Sequence, residues 1–176
     1  MSDNEWTVEV TPAARAAISR AIKDRYDGRE LGGALVGHTD GDRIVVTNAN
    51  GLGSVGAETP RGETWYRPSR ARWYEFALAC GAELLGDWHC HPDGGSVVPS
   101  NADVRLWQAT RTALRSPVYL GLIFLPKKVR VMGIHSDQVT WSFRDPEVGE
   151  YVITEAGSQR TRFVLSGKDT HEPSLV

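Results

Sequence analysis

The sequence predicts an α/β fold in one compact domain, and three observations carry that prediction. Apolar residues recur at helical spacing in three separate segments, and short β-rich apolar runs bounded by Gly, Pro and Asp lie between them. A length of 176 residues with 40% hydrophobic side chains suits one domain with a real core rather than a disordered or collagen-like chain. The strand pattern allows a mixed, largely antiparallel sheet with helices on its flanks.

Thr11-Pro12 starts the first helix, a capping hydroxyl followed by Pro at the first helical position. Ala14, Ile18, Ala21 and Ile22 then share a face, and Asp27-Gly28 ends a helix expected over 12–26. Gly33 to Gly37 and Arg43 to Asn48 read as a β-hairpin, because the Asp40-Gly41 pair between them suits a tight turn. Ala49 to Pro68 is glycine-rich and aperiodic, which predicts a long loop and marks it for function.

Trp73, Ala77, Cys80, Gly81 and Leu84 fall on one face of a second helix expected from about Ser69 to Gly81 or a little beyond. Leu85 to Cys90 then reads as a short buried strand running into His91-Pro92. After a loop from Asp93 to Pro99, Ser100 opens a third helix, with Asp103, Trp107, Thr110 and Leu114 on one face. Val118 to Leu125 is apolar almost throughout and should be a central strand, followed by strands over Val129 to Ile134 and Val139 to Phe143. Beyond Asp145-Pro146 the pattern weakens. Tyr151 to Ile153 and Arg162 to Leu165 are expected as edge strands, and the last ten residues as loose chain. The domain is therefore expected over 1–145, with 146–176 an extension packed on it or partly loose.

A net charge of −2 supplies no global field for nucleic acid or an anionic membrane. The sequence has no run of ~18 apolar residues, and Met1 to Glu9 is acidic and polar rather than signal-like, so a cytoplasmic protein without membrane partners is expected. Cys80 and Cys90 form no C-x-x-C, which indicates neither a disulfide framework nor a zinc ribbon. Any metal must be held by His and carboxylate.

The chemistry concentrates in Gly86-Asp87-Trp88-His89-Cys90-His91-Pro92, followed by Ser100-Asn101-Ala102-Asp103. Residues two apart in a strand point to the same side, so His89 and His91 can face one ion while Cys90 faces away. A loop folding back over the strand end could bring Asp103 to the same point. Two His and one Asp leave a tetrahedral zinc one position for water, the arrangement of a catalytic site. Ser100-x-x-Asp103 also reads as a plain capping box, and Glu30 ahead of a strand is ordinarily a solvated charge.

Taken together, these motifs resemble the JAB/MPN/JAMM zinc metalloprotease family in its prokaryotic stand-alone form. The family pattern is a Glu in an E-x-G-G-x-L-x-G-like context, then H-x-H-P, a short loop and S-x-x-D. Glu30, His89-Cys90-His91-Pro92, Ser100 and Asp103 match it in order, and the resemblance spans Thr11 to Phe143. One departure is that Pro92 to Pro99 makes the loop before Ser100 a residue longer than the common form; another is Cys90 where Ser or Thr is usual.

The resemblance implies a single JAB/MPN domain with cytidine-deaminase-like layering. It implies one Zn2+ per chain on His89, His91 and Asp103, Glu30 as the proton carrier, and Ser100 as donor to the oxyanion. The implied activity is cleavage of amide or isopeptide bonds after the C-terminal tail of a ubiquitin-like protein, with that protein or its conjugate as the substrate. The segment after the first hairpin would clamp that tail as an added strand, which singles out Trp65, Tyr66 and Arg67. The competing reading of Trp65 and Tyr66 is that they anchor a loop on the core.

Other zinc patterns fit less well. The H-x-H-x-D start of the metallo-β-lactamases continues with a His where Gly94 stands here, amidohydrolase barrels need ~250 residues, and zinc deaminases need H-x-E with P-C-x-x-C. A nucleic-acid-binding module is suggested by Arg61, Arg67, Arg70 and Arg72 among Trp65, Tyr66, Trp73 and Tyr74, but Glu58, Glu63 and Glu75 dilute the charge. A non-catalytic scaffold with structural zinc is the third alternative. The sequence leaves the oligomeric state open.

Overall fold

In the computed structural model, side chains are described for residues 6–26, 29–51, 70–91 and 96–125, and backbone alone for the strands at 54–58, 64–67, 128–129, 140–141, 147–154, 157–160 and 162–165. In chain order the elements are β1 (Thr7–Val10), α1 (Pro12–Arg25), β2 (Leu31–Asp40), β3 (Arg43–Ala49), β4 (Ser54–Glu58), β5 (Thr64–Arg67), α2 (Arg70–Ala79) and β6 (Glu83–Cys90). There follow α3 (Asn101–Leu114), β7 (Tyr119–Leu125), β8 (Lys128–Val129), β9 (Thr140–Trp141), β10 (Glu147–Thr154), β11 (Gly157–Arg160) and β12 (Arg162–Leu165).

Local chemistry sets the main elements. The Thr11 hydroxyl accepts the Ala14 amide at 3.3 Å and Pro12 occupies the first turn, as the Thr-Pro start predicts. Gly41 takes a positive φ of 60° in the β2–β3 turn, which a side chain would strain. Eight strands form one sheet in the order β11-β10-β7-β6-β2-β3-β1-β12. The ladders β10–β11, β7–β10, β2–β6 and β2–β3 are antiparallel, and β6–β7, β1–β3 and β1–β12 are parallel. The sheet is thus mixed, and the α/β expectation holds.

Several expectations are corrected. The long loop expected from Ala49 to Pro68 contains the antiparallel pair β4–β5, joined at Ser54↔Arg67 and Val55↔Tyr66. Its glycines hide the strand alternation. β10 lies between β7 and β11 instead of at an edge, whereas β12 does form an edge. Within residues 147–165, β10, β11 and β12 join the main sheet, as an extension packed on the domain would. β1 was not expected, because four residues are too few to establish alternation. The second helix stops at Ala79 with only Trp73 and Ala77 buried, Cys80 is exposed, and Leu84 already belongs to β6. Apolar spacing there runs straight through a helix end. The Asp27-Gly28 stop and most of the strands expected at 129–134 and 139–143 lie outside the described residues.

Among the described residues, two apolar clusters lie on opposite faces of the sheet. On one, Ala14, Ile18, Ile22 and Tyr26 of α1 pack with Leu31, Leu35, Trp88, Cys90, Leu120 and Leu122. On the other, Trp107 of α3 packs with Val97, Tyr119 and Ile123. Among the described residues, no helix is long and apolar enough to cross a membrane.

Gly121 decides how closely α3 approaches β7. A Cβ built there would stand 2.4 Å from Trp107 Cζ2 and 2.5 Å from Cε2, and an indole that is 0% exposed has nowhere to retreat. Gly121→Ala should therefore lose about 1–3 kcal/mol of stability, read as a lower midpoint in urea with an unchanged slope.

Candidate metal centre

The site is assembled where β6 ends beneath the start of α3. Asp87, His89 and His91 alternate along β6 and its exit, so they share the face turned toward α3, while Trp88 and Cys90 point into the opposite core. Burial pushes the Cys90 thiol far above its usual range and keeps it inert. As expected, Cys90 takes no part in the site.

Three backbone or side-chain contacts fix His91. Its amide donates to the Phe124 carbonyl at 3.1 Å, and its own carbonyl accepts the Tyr26 hydroxyl at 3.1 Å. Its ring Nδ1 meets the Ser96 carbonyl oxygen. A carbonyl can only accept, so Nδ1 carries the proton and Nε2 presents a lone pair. That Nε2 lies 3.2 Å from Nε2 of His89, which is 2% exposed.

Asp103 arrives from the first turn of α3. Ser100 caps the helix, its hydroxyl accepting the Asp103 amide at 3.2 Å while Asp103 Oδ2 accepts the Ser100 amide at 2.7 Å. The same carboxylate places Oδ1 3.6 Å from His89 Nε2 and Oδ2 3.8 Å from His91 Nε2. One arrangement therefore serves the cap and the candidate site, because the box holds the Asp103 side chain in the rotamer that faces the histidines.

These distances suit zinc. Ligand atoms about 2.0–2.2 Å from a tetrahedral zinc are separated by roughly 3.3–3.6 Å, close to the three separations here. The donor set of two imidazoles and a carboxylate is of the right chemistry, and among the described residues His89, His91 and Asp103 are a group whose ligand atoms lie within 4.8 Å of one another. Two facing imidazole nitrogens both backed on the far side by acceptors are best served by a shared cation.

Glu30 immediately precedes β2. In the β2–β6 ladder Leu31 pairs with Cys90 and Gly32 with His89, so one further step sets Glu30 opposite His91, on the face carrying both imidazoles. Its charge reaches His91 and helps raise that imidazole's pKa. Ser100 is exposed at the mouth of the site. Trp65, Tyr66 and Arg67 lie in β5, and their side chains are outside the described residues.

The residue that motif reading passed over is Asp87. It is 1% exposed, its Oδ1 accepts from Trp107 Nε1 at 3.2 Å, its Oδ2 accepts from the Tyr119 hydroxyl at 2.9 Å, and Oδ1 lies 3.7 Å from His89 Nδ1. Period two from His89 would have placed it on the ligand face.

Contact with Asp103 raises the His91 pKa, against the opposing effect of burial, with the Ser96 carbonyl and Glu30 adding to it. Burial alone would raise Asp103, but His91, His89 and Ser100 outweigh it and hold the carboxyl at about 2. A metal must compete with a second proton for His91 Nε2 but finds Asp103 already ionised. Apparent zinc affinity, measured by chelator competition, should therefore fall as pH is lowered through the raised pKa of His91, while the depressed pKa of Asp103 keeps that ligand ionised over the same range.

Fold and site together define an α/β protein with a His-His-Asp candidate metal centre at a strand end, roofed by one helix. Residues 12–143 match the prokaryotic homologs of the JAB domain, and the chain belongs to that family. No curated protein shows a significant match. The fold is similar to the solution structure of protein DSY2949 from Desulfitobacterium hafniense, with a TM-score of 0.59 and 19% identity, covering 92% of this chain and 94% of that one.

Proposed function

We propose that the protein is a zinc-dependent peptidase or isopeptidase that removes or processes a ubiquitin-like modifier after its C-terminal tail. The observation that carries this reading is the meeting of His89, His91 and Asp103 with Glu30 set beside His91 by strand register. JAB-domain membership makes a hydrolase the natural class.

His89, His91 and Asp103 would hold the zinc. When bound, zinc polarises the scissile carbonyl and lowers the pKa of a water toward ~7. Glu30 takes a proton from the attacking water and passes it to the departing amine, so that amide plus water becomes carboxylic acid plus amine. Ser100 uses its hydroxyl oxygen as the helix cap, which leaves the O–H to donate to the oxygen on which negative charge develops. The β4–β5 pair supplies a backbone beside which an extended tail could add as a strand, with Trp65, Tyr66 and Arg67 next to it. A tail ending in Gly-Gly would let its backbone pass close to the metal. The protein would act in the cytoplasm, where Cys80 and Cys90 stay free thiols.

A structural-zinc scaffold is the alternative, and Glu30→Gln separates the two. Elemental analysis should find one zinc per chain in both forms, while turnover of a modifier-linked substrate falls by ~10²-fold or more. Undiminished turnover would remove Glu30 from the mechanism, and a folded, unchelated protein without metal would defeat the whole reading. Nucleic-acid binding is disfavoured because Trp73, one of the aromatics offered for stacking, is 1% exposed.

Ser100→Ala tests the oxyanion role against the cap. Losing the cap alone costs about 1 kcal/mol of stability, whereas loss of an oxyanion donor slows turnover by about 10²-fold. A lower melting temperature with turnover unchanged at a temperature where the variant is folded would leave Ser100 as a cap only.

A further inference from the structure

We propose that Asp87 is a positioning residue for the metal centre, orienting the His89 imidazole so that Nδ1 carries the proton and Nε2 faces the metal. The inference rests on the zinc reading above. A carboxylate that is 1% exposed is expensive unless its oxygens are satisfied, and here each oxygen has a donor, Trp107 Nε1 at 3.2 Å and the Tyr119 hydroxyl at 2.9 Å. Those two donors explain how Asp87 is tolerated but not why an acid stands there. Its third neighbour does: His89 Nδ1 lies 3.7 Å from Oδ1, within ion-pair reach though longer than a hydrogen bond.

The two histidines are backed in parallel ways. His91 Nδ1 meets the Ser96 carbonyl, His89 Nδ1 faces the Asp87 carboxylate, and both Nε2 atoms turn toward Asp103. An acceptor behind a ligating imidazole selects its tautomer and raises its basicity, and a full negative charge does so more strongly than a carbonyl dipole. The acid is itself immobilised: Trp107 stands four residues after Asp103, so one face of α3 delivers a ligand to His89 and a donor to Asp87. Tyr119 fixes the other oxygen from β7. The ligand shell and its backing thus share one helix and two neighbouring strands.

Zinc affinity of the full chain is measured by chelator competition in the wild type, Asp87→Asn and Trp107→Phe, beside thermal unfolding of the metal-free forms. Asp87→Asn should bind zinc about 10- to 100-fold more weakly, and Trp107→Phe, which keeps an aromatic ring but not the donor, by a smaller factor in the same direction. A purely structural role would lower the melting temperature while zinc affinity of the folded protein stays within about twofold of wild type, and that result overturns the proposal. Nitrogen-15 NMR of the zinc-loaded wild type decides the point even if the variants do not fold. It should show His89 protonated at Nδ1, and protonation at Nε2 with Nδ1 on the metal would refute it. A wild-type chain that binds no zinc defeats the zinc reading and this inference together. Zinc binding that is equally tight in wild type and Asp87→Asn defeats this inference alone.

Discussion

The packing of Trp107 across β6 and β7 is the contact on which the candidate metal centre depends. Its indole fills the space that Gly121 leaves open and donates to Asp87, the register partner of Gly121 in the parallel β6–β7 ladder. Burying an indole there contributes roughly 1.5–3 kcal/mol, and its bond to a charged group contributes about as much again. Both are spent at one point along α3. A helix pinned at Trp107 has its first turn fixed as well, since residues four apart lie one above the other, and Asp103 is set over His89 and His91.

The opposite side of the site is held by strand register. From Leu31 to Leu35 the antiparallel pairing of β2 with β6 keeps one register, and a one-residue shift there would turn every side chain to the wrong face. With Leu31 and Cys90 both in the core, Glu30 and His91 emerge together at the strand ends. Tyr26, at the end of α1, reaches across to the His91 carbonyl and ties the large apolar cluster to a candidate ligand just beyond the end of β6.

The charge arrangement follows from this scaffold. Three acids, Glu30, Asp87 and Asp103, surround two imidazoles, an excess of negative charge that suits a divalent cation and not an anion. Asp103 is anchored by the Ser100 amide before any metal arrives, so its carboxylate loses little freedom on binding.

Much of this was legible in the chain. The Thr-Pro helix start, the Asp-Gly hairpin, the apolar Tyr119–Leu125 strand and the spacing of His89, His91, Ser100 and Asp103 are local signals, each governed by a few neighbouring residues. They determined the α/β class and pointed to the candidate ligands. The β4–β5 pair, the internal place of β10 and the parallel union of β1 with β12 were not legible, since short strands acquire their identity from partners far along the sequence. Asp87 stood beside the motif, yet its burial depends on an indole twenty residues later and a phenol thirty-two residues later. Sequence determined which groups could bind a metal; only tertiary structure decided what stands behind them, because the partners of a buried charge are chosen by packing and not by spacing.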